Sequence, residues 1–227
     1  MKLTLLAAST AFLLSGCVIY VDGKSGNIDW GDRDLTHDTR QLSLAVSDLA
    51  TLDVLAGAGS LVIAGDSTVY TIEVTAEVYH HDTADIRFSL EAQGDTAFLV
   101  ATFDNSSYGS NNPYMDVTVR MPQDLLLKVD DGSGSIEIRN VYGDIEVEDG
   151  SGSMDITDVG NLTIDDGSGS ITVNGSNGNV VIDDGSGGIL VENVRGEVTI
   201  DDGSGDIEVR DVGKLTIIES GSGSVKS

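Results

Sequence analysis

A short motif recurs through the second half of the chain and limits its possible folds more than any other feature. Asp-Asp-Gly-Ser-Gly-Ser-Ile at residues 130–136 returns five times, in its last copy degraded. The first glycines of the six copies stand at positions 132, 150, 167, 185, 203 and 221, so successive copies lie 18, 17, 18, 18 and 18 residues apart. A fixed period of this length is the sequence signature of units that stack along one axis.

Each unit holds two short segments of alternating character, as in residues 136–138 and 145–147. Alternate aliphatic residues should point inward, and the acids or threonines between them should face water. One coil buries about five aliphatic side chains, and each contributes roughly 1.5–3 kcal/mol. Ordering the backbone costs roughly 1–2 kcal/mol for every residue of the coil, so the total cost exceeds the total gain. The coils must therefore stack. Residues 128–227 predict an all-β parallel β-helix or β-roll solenoid with about 18 residues per coil.

Residues 41–127 predict a less regular β region that starts and caps the same solenoid. Residues 71–78 and 115–121 alternate cleanly, as strands with one buried face do. Residues 55–63 look like a worn copy of the repeat, and a loop is expected at 105–113.

The stretch Val-Thr-Val-Arg-Met-Pro-Gln-Asp-Leu at residues 117–125, running into the first Gly-Ser-Gly-Ser-Ile repeat, resembles a bacterial β-strand-repeat family of unknown function. That family carries the label "putative adhesin". The resemblance covers about residues 45–225. It implies a β-strand-repeat fold and a role in adhesion.

The N-terminus predicts a lipoprotein. Lys2 precedes an apolar run at residues 3–14, which has the length of a signal-peptide core and is too short to span a bilayer. Leu14-Ser15-Gly16-Cys17 resembles a lipobox, so residues 1–16 are read as a signal peptide and Cys17 as the site of lipid attachment. Residues 17–40 are read as a lipidated flexible tether. Val18 stands where an aspartate would favour retention of a lipoprotein at the inner membrane, so we expect the protein at the outer membrane. The sequence leaves open which face of that membrane it occupies.

The stacked motifs should form two acidic columns at one corner of the solenoid. One column holds Asp131, Asp149, Asp166, Asp184 and Asp202, with Ser220 closing it, and the other holds Asp130, Glu148, Asp165, Asp183, Asp201 and Glu219. The Asp/Ser column favours short acceptors that cap tight turns. Diffuse cation binding and a calcium site remain open as alternatives, although calcium-binding β-rolls place their aspartate after the glycines.

Other candidate residues lie outside the regular repeats. Tyr79-His80-His81-Asp82, with His37, is a possible metal cluster, but adjacent strand residues point to opposite faces. Tyr108 and Tyr114 flank a polar loop that could contact a sugar. No catalytic residues and no cofactor are predicted, because the carboxylates recur as turn residues.

Two classes of function remain open. The net charge of −26 disfavours nucleic acid and leaves cations, cationic peptides or glycans as partners, in addition to the membrane reached through the lipid. The first class is adhesion or matrix contact at the surface. The second is a periplasmic envelope-stress or structural role that involves cations or cationic peptides.

Overall fold

The computed structural model describes residues 17–20, 35–104 and 112–227, and its regular structure in these ranges is all β. The predicted signal peptide at 1–16 and most of the predicted tether, at 21–34, lie outside the described residues. Within the described ranges, no helix is long and apolar enough to cross a membrane. The strands are β1 Cys17–Tyr20, β2 Thr36–Ala45, β3 Thr51–Asp66, β4 Thr71–His80, β5 Ile86–Gln93, β6 Thr96–Phe103, β7 Tyr114–Pro122, β8 Leu126–Arg139, β9 Ile145–Asp149, β10 Gly152–Val159, β11 Leu162–Asp166, β12 Gly169–Ser176, β13 Val180–Asp184, β14 Gly187–Asp202, β15 Ile207–Glu219 and β16 Val225–Lys226.

The repeats stack as parallel strands in two rows. In the first row, β8, β10, β12 and β14 pair so that Gly134, Gly152, Gly169 and Gly187 lie side by side. In the second row, β9, β11, β13 and the end of β14 pair in the same sense. Partners stand 17 or 18 positions apart in the chain, as the motif spacing predicted. The architecture is therefore a parallel, β-solenoid-like stack.

The core runs between the two rows. The aliphatic side chains expected to point inward in the first full repeat are all buried: Ile136, Ile138, Val141, Ile145 and Val147. One continuous cluster of such residues extends from Leu42 to Val209. Since the cluster is shared by successive coils, each coil is stabilised mainly by its neighbours.

Strand β3 is the first coil of the stack, although 59 residues separate it from β8. It pairs in parallel with β8 along almost its whole length, and Gly59 lies beside Gly134. The prediction that residues 55–63 are a worn repeat is confirmed. Strands β7 and β6 pair in parallel with the two halves of β3 and begin the N-terminal end.

Antiparallel strands extend that end, which the sequence did not reveal. Strand β4 pairs with β7, β2 with β4, and β1 with β2, while β5 pairs with β6. Strand β1 at residues 17–20 and the start of β2 at Thr36 both fall within the predicted flexible tether of residues 17–40, so these parts of the tether are strand and its boundary at residue 40 was placed too late. Backbone pairing to β4 holds residues 36–41, and their side chains show no clear apolar alternation. Hydropathy alone therefore missed the start of the strand.

Candidate functional site

Glycine builds the corner that carries the acidic motif. At Gly152 the backbone has φ +155°, and a Cβ atom there would lie 1.6 Å from the carbonyl oxygen of Gly134. At Gly169 the same atom would lie 1.5 Å from the oxygen of Gly152. Only a residue without a side chain lets adjacent rungs approach this closely. The Gly-Ser-Gly spacing therefore fixes where the chain turns and brings each preceding aspartate to the corner.

The predicted Asp131 column forms, and we name it the aspartate ladder. Direct strand pairing aligns its five members: Asp131, Asp149, Asp166, Asp184 and Asp202. Ala56 of β3 takes the equivalent position next to Asp131. At the other end, β15 pairs Glu219 with Asp201 after a bulge, and Ser220 follows Glu219. The pairing between β14 and β15 ends before Ser220.

The ladder side chains are buried, which the sequence analysis did not foresee. The five residues are between 1% and 6% exposed. In β8, Leu127, Val129 and Asp131 share the inward face, so the alternation carries the carboxyl group into the interior. This alternation was the available signal, and the turn-like motif concealed it.

One oxygen of the carboxyl groups caps the turn. The backbone N–H of Ser168 donates to Asp166 Oδ1 at 3.2 Å, and the N–H of Ser186 donates to Asp184 Oδ1 at 3.1 Å. Asp149 and Asp202 accept from Ser151 and Ser204 in the same way. The predicted capping role is confirmed for these four residues. The Oδ2 atoms of all five aspartates are buried and have no hydrogen-bond partner among the described residues.

Burial and neighbouring charge make these carboxyl groups hard to ionise. Desolvation, with the nearby charge of Asp149, raises the pKa of Asp131 to about 7. Desolvation, reinforced by Asp149 and Asp184, raises the pKa of Asp166 to about 6. Burial also raises the pKa of Asp149, Asp184 and Asp202. Hydrogen bonds from the turn oppose these shifts without cancelling them.

The second predicted column lies outside the corner, and we name it the outer acidic column. It consists of Asp130, Glu148, Asp165, Asp183, Asp201 and Glu219, and successive members are directly paired. These residues are exposed, apart from the half-buried Asp201. The corner therefore separates two rows of acids, one in water and one sealed in the interior.

The calcium site anticipated on the ladder remains a prediction. Calcium takes six to eight oxygen ligands, whereas each rung here presents one unpartnered carboxylate oxygen. Across the described residues there is no group of three or more His, Cys, Asp or Glu side chains that could hold a metal ion. The donor set of the ladder therefore does not fit calcium well.

The predicted histidine cluster is divided between two faces. His37 Nε2 lies 2.6 Å from Glu77 Oε2, and His37 stacks on Tyr79 on one side of the sheet. His80 lies on the other side, with Nδ1 2.9 Å from the carbonyl oxygen of His81 and Nε2 3.6 Å from Asp38 Oδ2. Asp82 accepts a hydrogen bond from Thr36. The two faces keep His37 and His80 from sharing an ion.

A row of three stacked rings crosses β2, β4 and β7, and the sequence analysis missed it. The ring centroids of His37 and Tyr79 are 4.6 Å apart, and those of Tyr79 and Tyr114 are 4.5 Å apart. Burial, with the nearby Tyr79 and Asp116, raises the pKa of Tyr114. The row depends on antiparallel register, which sequence periodicity does not give. Tyr108 lies outside the described residues.

Comparisons with solved structures give only weak similarity. A protein described as a "putative cell adhesion protein" from Clostridium sporogenes matches with 13% identity and TM-score 0.45, covering 85% of this chain and 98% of that one. A "putative adhesin" from Bacteroides fragilis matches with 16% identity and TM-score 0.45, covering 84% and 96%. A "putative lipid binding protein" from Parabacteroides distasonis matches with 16% identity and TM-score 0.33, covering 84% and 97%. These TM-scores are too low for the matches to assign a fold or a function to this chain.

The family is established by the sequence itself. No curated protein matches the chain. The model of the family described as Toastrack DUF4097 matches residues 62–226, which is most of the chain. The match includes residues 117–125 and every Gly-Ser-Gly corner from β8 onward, so the resemblance expected from the sequence is confirmed. The chain belongs to the Toastrack DUF4097 family.

Proposed function

We propose that this protein is a non-enzymatic outer-membrane lipoprotein that presents an acidic rod for adhesion or matrix contact. The observation that carries the proposal is the outer acidic column, which places one carboxylate on each successive rung. Parallel rungs are about 4.8 Å apart, so five rungs span roughly 20–25 Å. Repeated identical groups on a fixed spacing suit a partner that is bound through many weak contacts.

The rod is proposed to be a regular β-helix with about 18 residues per coil. Partners that stand 17 or 18 positions apart in the chain support this geometry from β8 to β16. From β8 to β14 both strand rows and the core continue from one coil to the next, which supports a rigid rod. A rigid support keeps the carboxylates in register for a partner.

The outward charges support an interaction surface. The basic groups of Lys128, Arg210 and Lys214 already lie 2.5–2.6 Å from Glu146, Glu192 and Glu197. No basic side chain forms an ion pair with the outer acidic column in the described part of the chain. Adjacent carboxylates repel by roughly 1–3 kcal/mol per pair between dielectric constants of 80 and 20. A cationic or hydrogen-bonding partner would relieve that repulsion.

The regularity of the acids supports a non-enzymatic role. A catalytic pair requires two carboxyl groups with different environments at one place. Here each coil repeats the same two environments, one outside and one inside the corner.

Protease shaving of intact cells tests the proposal. With a periplasmic protein as the control for leakage, the repeat domain should be cleaved and should bind antibody while the control stays intact. Protection of the domain until the outer membrane is opened would contradict surface adhesion.

Protection would favour the second candidate, a periplasmic envelope-stress or structural role that involves cationic peptides. The outer acidic column, which forms no ion pair with a basic side chain of the described residues, supports this candidate as well. Binding of a polylysine peptide should then weaken at least tenfold between 50 mM and 300 mM salt, because the screening length falls below the roughly 10 Å that applies at 0.1 M. The variant Asp165→Asn removes one carboxylate of the outer acidic column. It should weaken binding of the peptide at low salt only. Binding that is independent of salt would contradict an electrostatic partner.

A further inference from the structure

The aspartate ladder contains more buried acid than turn capping requires. Capping uses one oxygen of Asp149, Asp166, Asp184 and Asp202 and leaves every Oδ2 of the ladder buried without a partner. Leaving a buried polar atom without a partner costs about 1–3 kcal/mol, and more if it is charged. A serine caps the turn at a comparable position in this chain, since Ser176 Oγ accepts from the N–H of Gly178. The recurring carboxyl group therefore needs a reason other than the turn.

No positive group in the described part of the chain neutralises the ladder. Within the ladder strands β8, β9, β11, β13 and β14, the charges that act on these carboxyl groups come from other ladder members and from the outer acidic column. Lys128, the basic residue of β8 closest in sequence to Asp131, is paired with Glu146 on the outside. On the flanking rung of β3, the residue beside Asp131 is the uncharged Ala56. The charges that described residues place near the ladder carboxylates are therefore all negative.

We propose that the aspartate ladder is a proton-binding column in which carboxyl groups on successive rungs share protons through their buried Oδ2 atoms. A protonated carboxyl group is a donor, and an ionised neighbour is an acceptor. Such O–H···O⁻ bonds are short, about 2.5–2.7 Å, and about twice as strong as neutral ones. The alignment of the five side chains on successive rungs supplies the neighbours that this bond requires.

Proton binding links the stability of the solenoid to pH in an unusual direction. The pKa of Asp131 is about 7 and that of Asp166 about 6 in the folded chain, whereas an unfolded aspartate titrates near 4. A raised folded pKa means that stability is fully present below the unfolded pKa and is lost as pH rises through the folded pKa. The protein should therefore be more stable at pH 5 than at pH 7.5. Ordinary acid denaturation, driven by acids with lowered pKa values, should begin only at lower pH.

The test compares Asp166→Asn with Asp165→Asn. Both variants remove one acid from β11, but Asp166 belongs to the buried ladder and Asp165 to the outer acidic column. Asparagine keeps the capping oxygen and adds an N–H donor for the neighbouring Oδ2. Melting should be followed from pH 5 to pH 8 at constant ionic strength with a chelator present.

The wild-type melting temperature should rise by at least about 4 °C from pH 7.5 to pH 5. Asp166→Asn should raise the melting temperature at pH 7.5, leave it unchanged at pH 5, and thereby flatten the profile. Asp165→Asn should keep the slope of the wild type. A wild-type profile that is flat or falls toward pH 5 would overturn the proposal, as would equal slopes in the two variants.

A spectroscopic measurement on the wild type keeps the test independent of any variant's folding. The infrared band of protonated carboxylic acid should be present at pH 7 and lost by pH 9, a range in which exposed aspartates stay ionised. Absence of the band at pH 7 would overturn the proposal. Calcium chloride added at pH 7.5 without chelator should not raise the melting temperature beyond an equal ionic strength of magnesium chloride. A calcium-specific rise abolished by Asp166→Asn would show that the column holds cations instead of protons.

Discussion

Replacing Gly187 by alanine is expected to lower the free energy of unfolding by about 3–5 kcal/mol, combining overpacking and backbone strain. The Cβ atom would lie 1.4 Å from the carbonyl oxygen of Gly169, at a residue with φ +156°. A backbone oxygen cannot rotate away as a flexible side chain would, so the rungs of β12 and β14 must separate. In a protein of this size the melting temperature should fall by about 6–20 °C.

The neighbouring glycine supplies a matched control. A Cβ atom on Gly188 would meet nothing within 4 Å, and its φ is not positive. Gly188→Ala should leave the melting temperature within about 2 °C of the wild type or raise it slightly, because alanine restricts the unfolded chain. Thermal unfolding followed by circular dichroism measures both variants. Equal effects at the two positions would contradict the stacking of glycines at the corner.

The glycine corners also show why the repeat was readable from the sequence. A residue that must lack a side chain on every rung leaves a fixed glycine spacing, and Gly134, Gly152 and Gly169 reproduce it as direct partners. The inward aliphatics follow from the same period. Strand stacking and the alignment of Asp131 with Asp149 therefore follow from spacing alone.

The spacing of the motif does not show that the aspartates of the ladder face the interior. Asp131 and Asp130 differ by one residue, and one residue reverses the face of a strand. Reading Asp131 as inward required the alternation of Leu127 and Val129 to continue into the corner, whereas a turn would have ended it. The motif resembles a turn, and a turn at this point would not carry the alternation of β8 as far as Asp131.

The antiparallel strands at the N-terminal end were hidden for another reason. Thr36 to Arg40 are held by backbone pairing with β4, and the row of His37, Tyr79 and Tyr114 forms only in that register. Residues distant in sequence meet there without any repeat to align them. Hydropathy identifies the central strands β4 and β7 and misses β2, whose first half lacks an apolar face.

Replacing Cys17 by serine is expected to release nearly all of the protein from the outer membrane. Each buried methylene of an acyl chain contributes about 0.8 kcal/mol, so two or more chains hold a protein firmly and none leaves it free. Incorporation of labelled palmitate should disappear in the same variant. Sucrose-gradient fractionation of the membranes measures the release, with a non-lipoprotein signal peptide in place of residues 1–16 so that cleavage does not depend on the cysteine.

Val18 supplies the control for sorting, since Val18→Asp should keep the lipid and shift the protein toward the inner membrane. Retention of Cys17→Ser in the outer membrane would contradict lipid anchoring and point to binding by the folded part.

The position of Cys17 in the fold predicts how a lipid anchor would orient the protein. Cys17 lies in the edge strand β1, where its backbone pairs with Ser43 of β2, at the end of the sheet away from the regular repeats. A lipid at Cys17 would therefore hold that end at the membrane and direct the acidic columns away from it, where a partner could reach them.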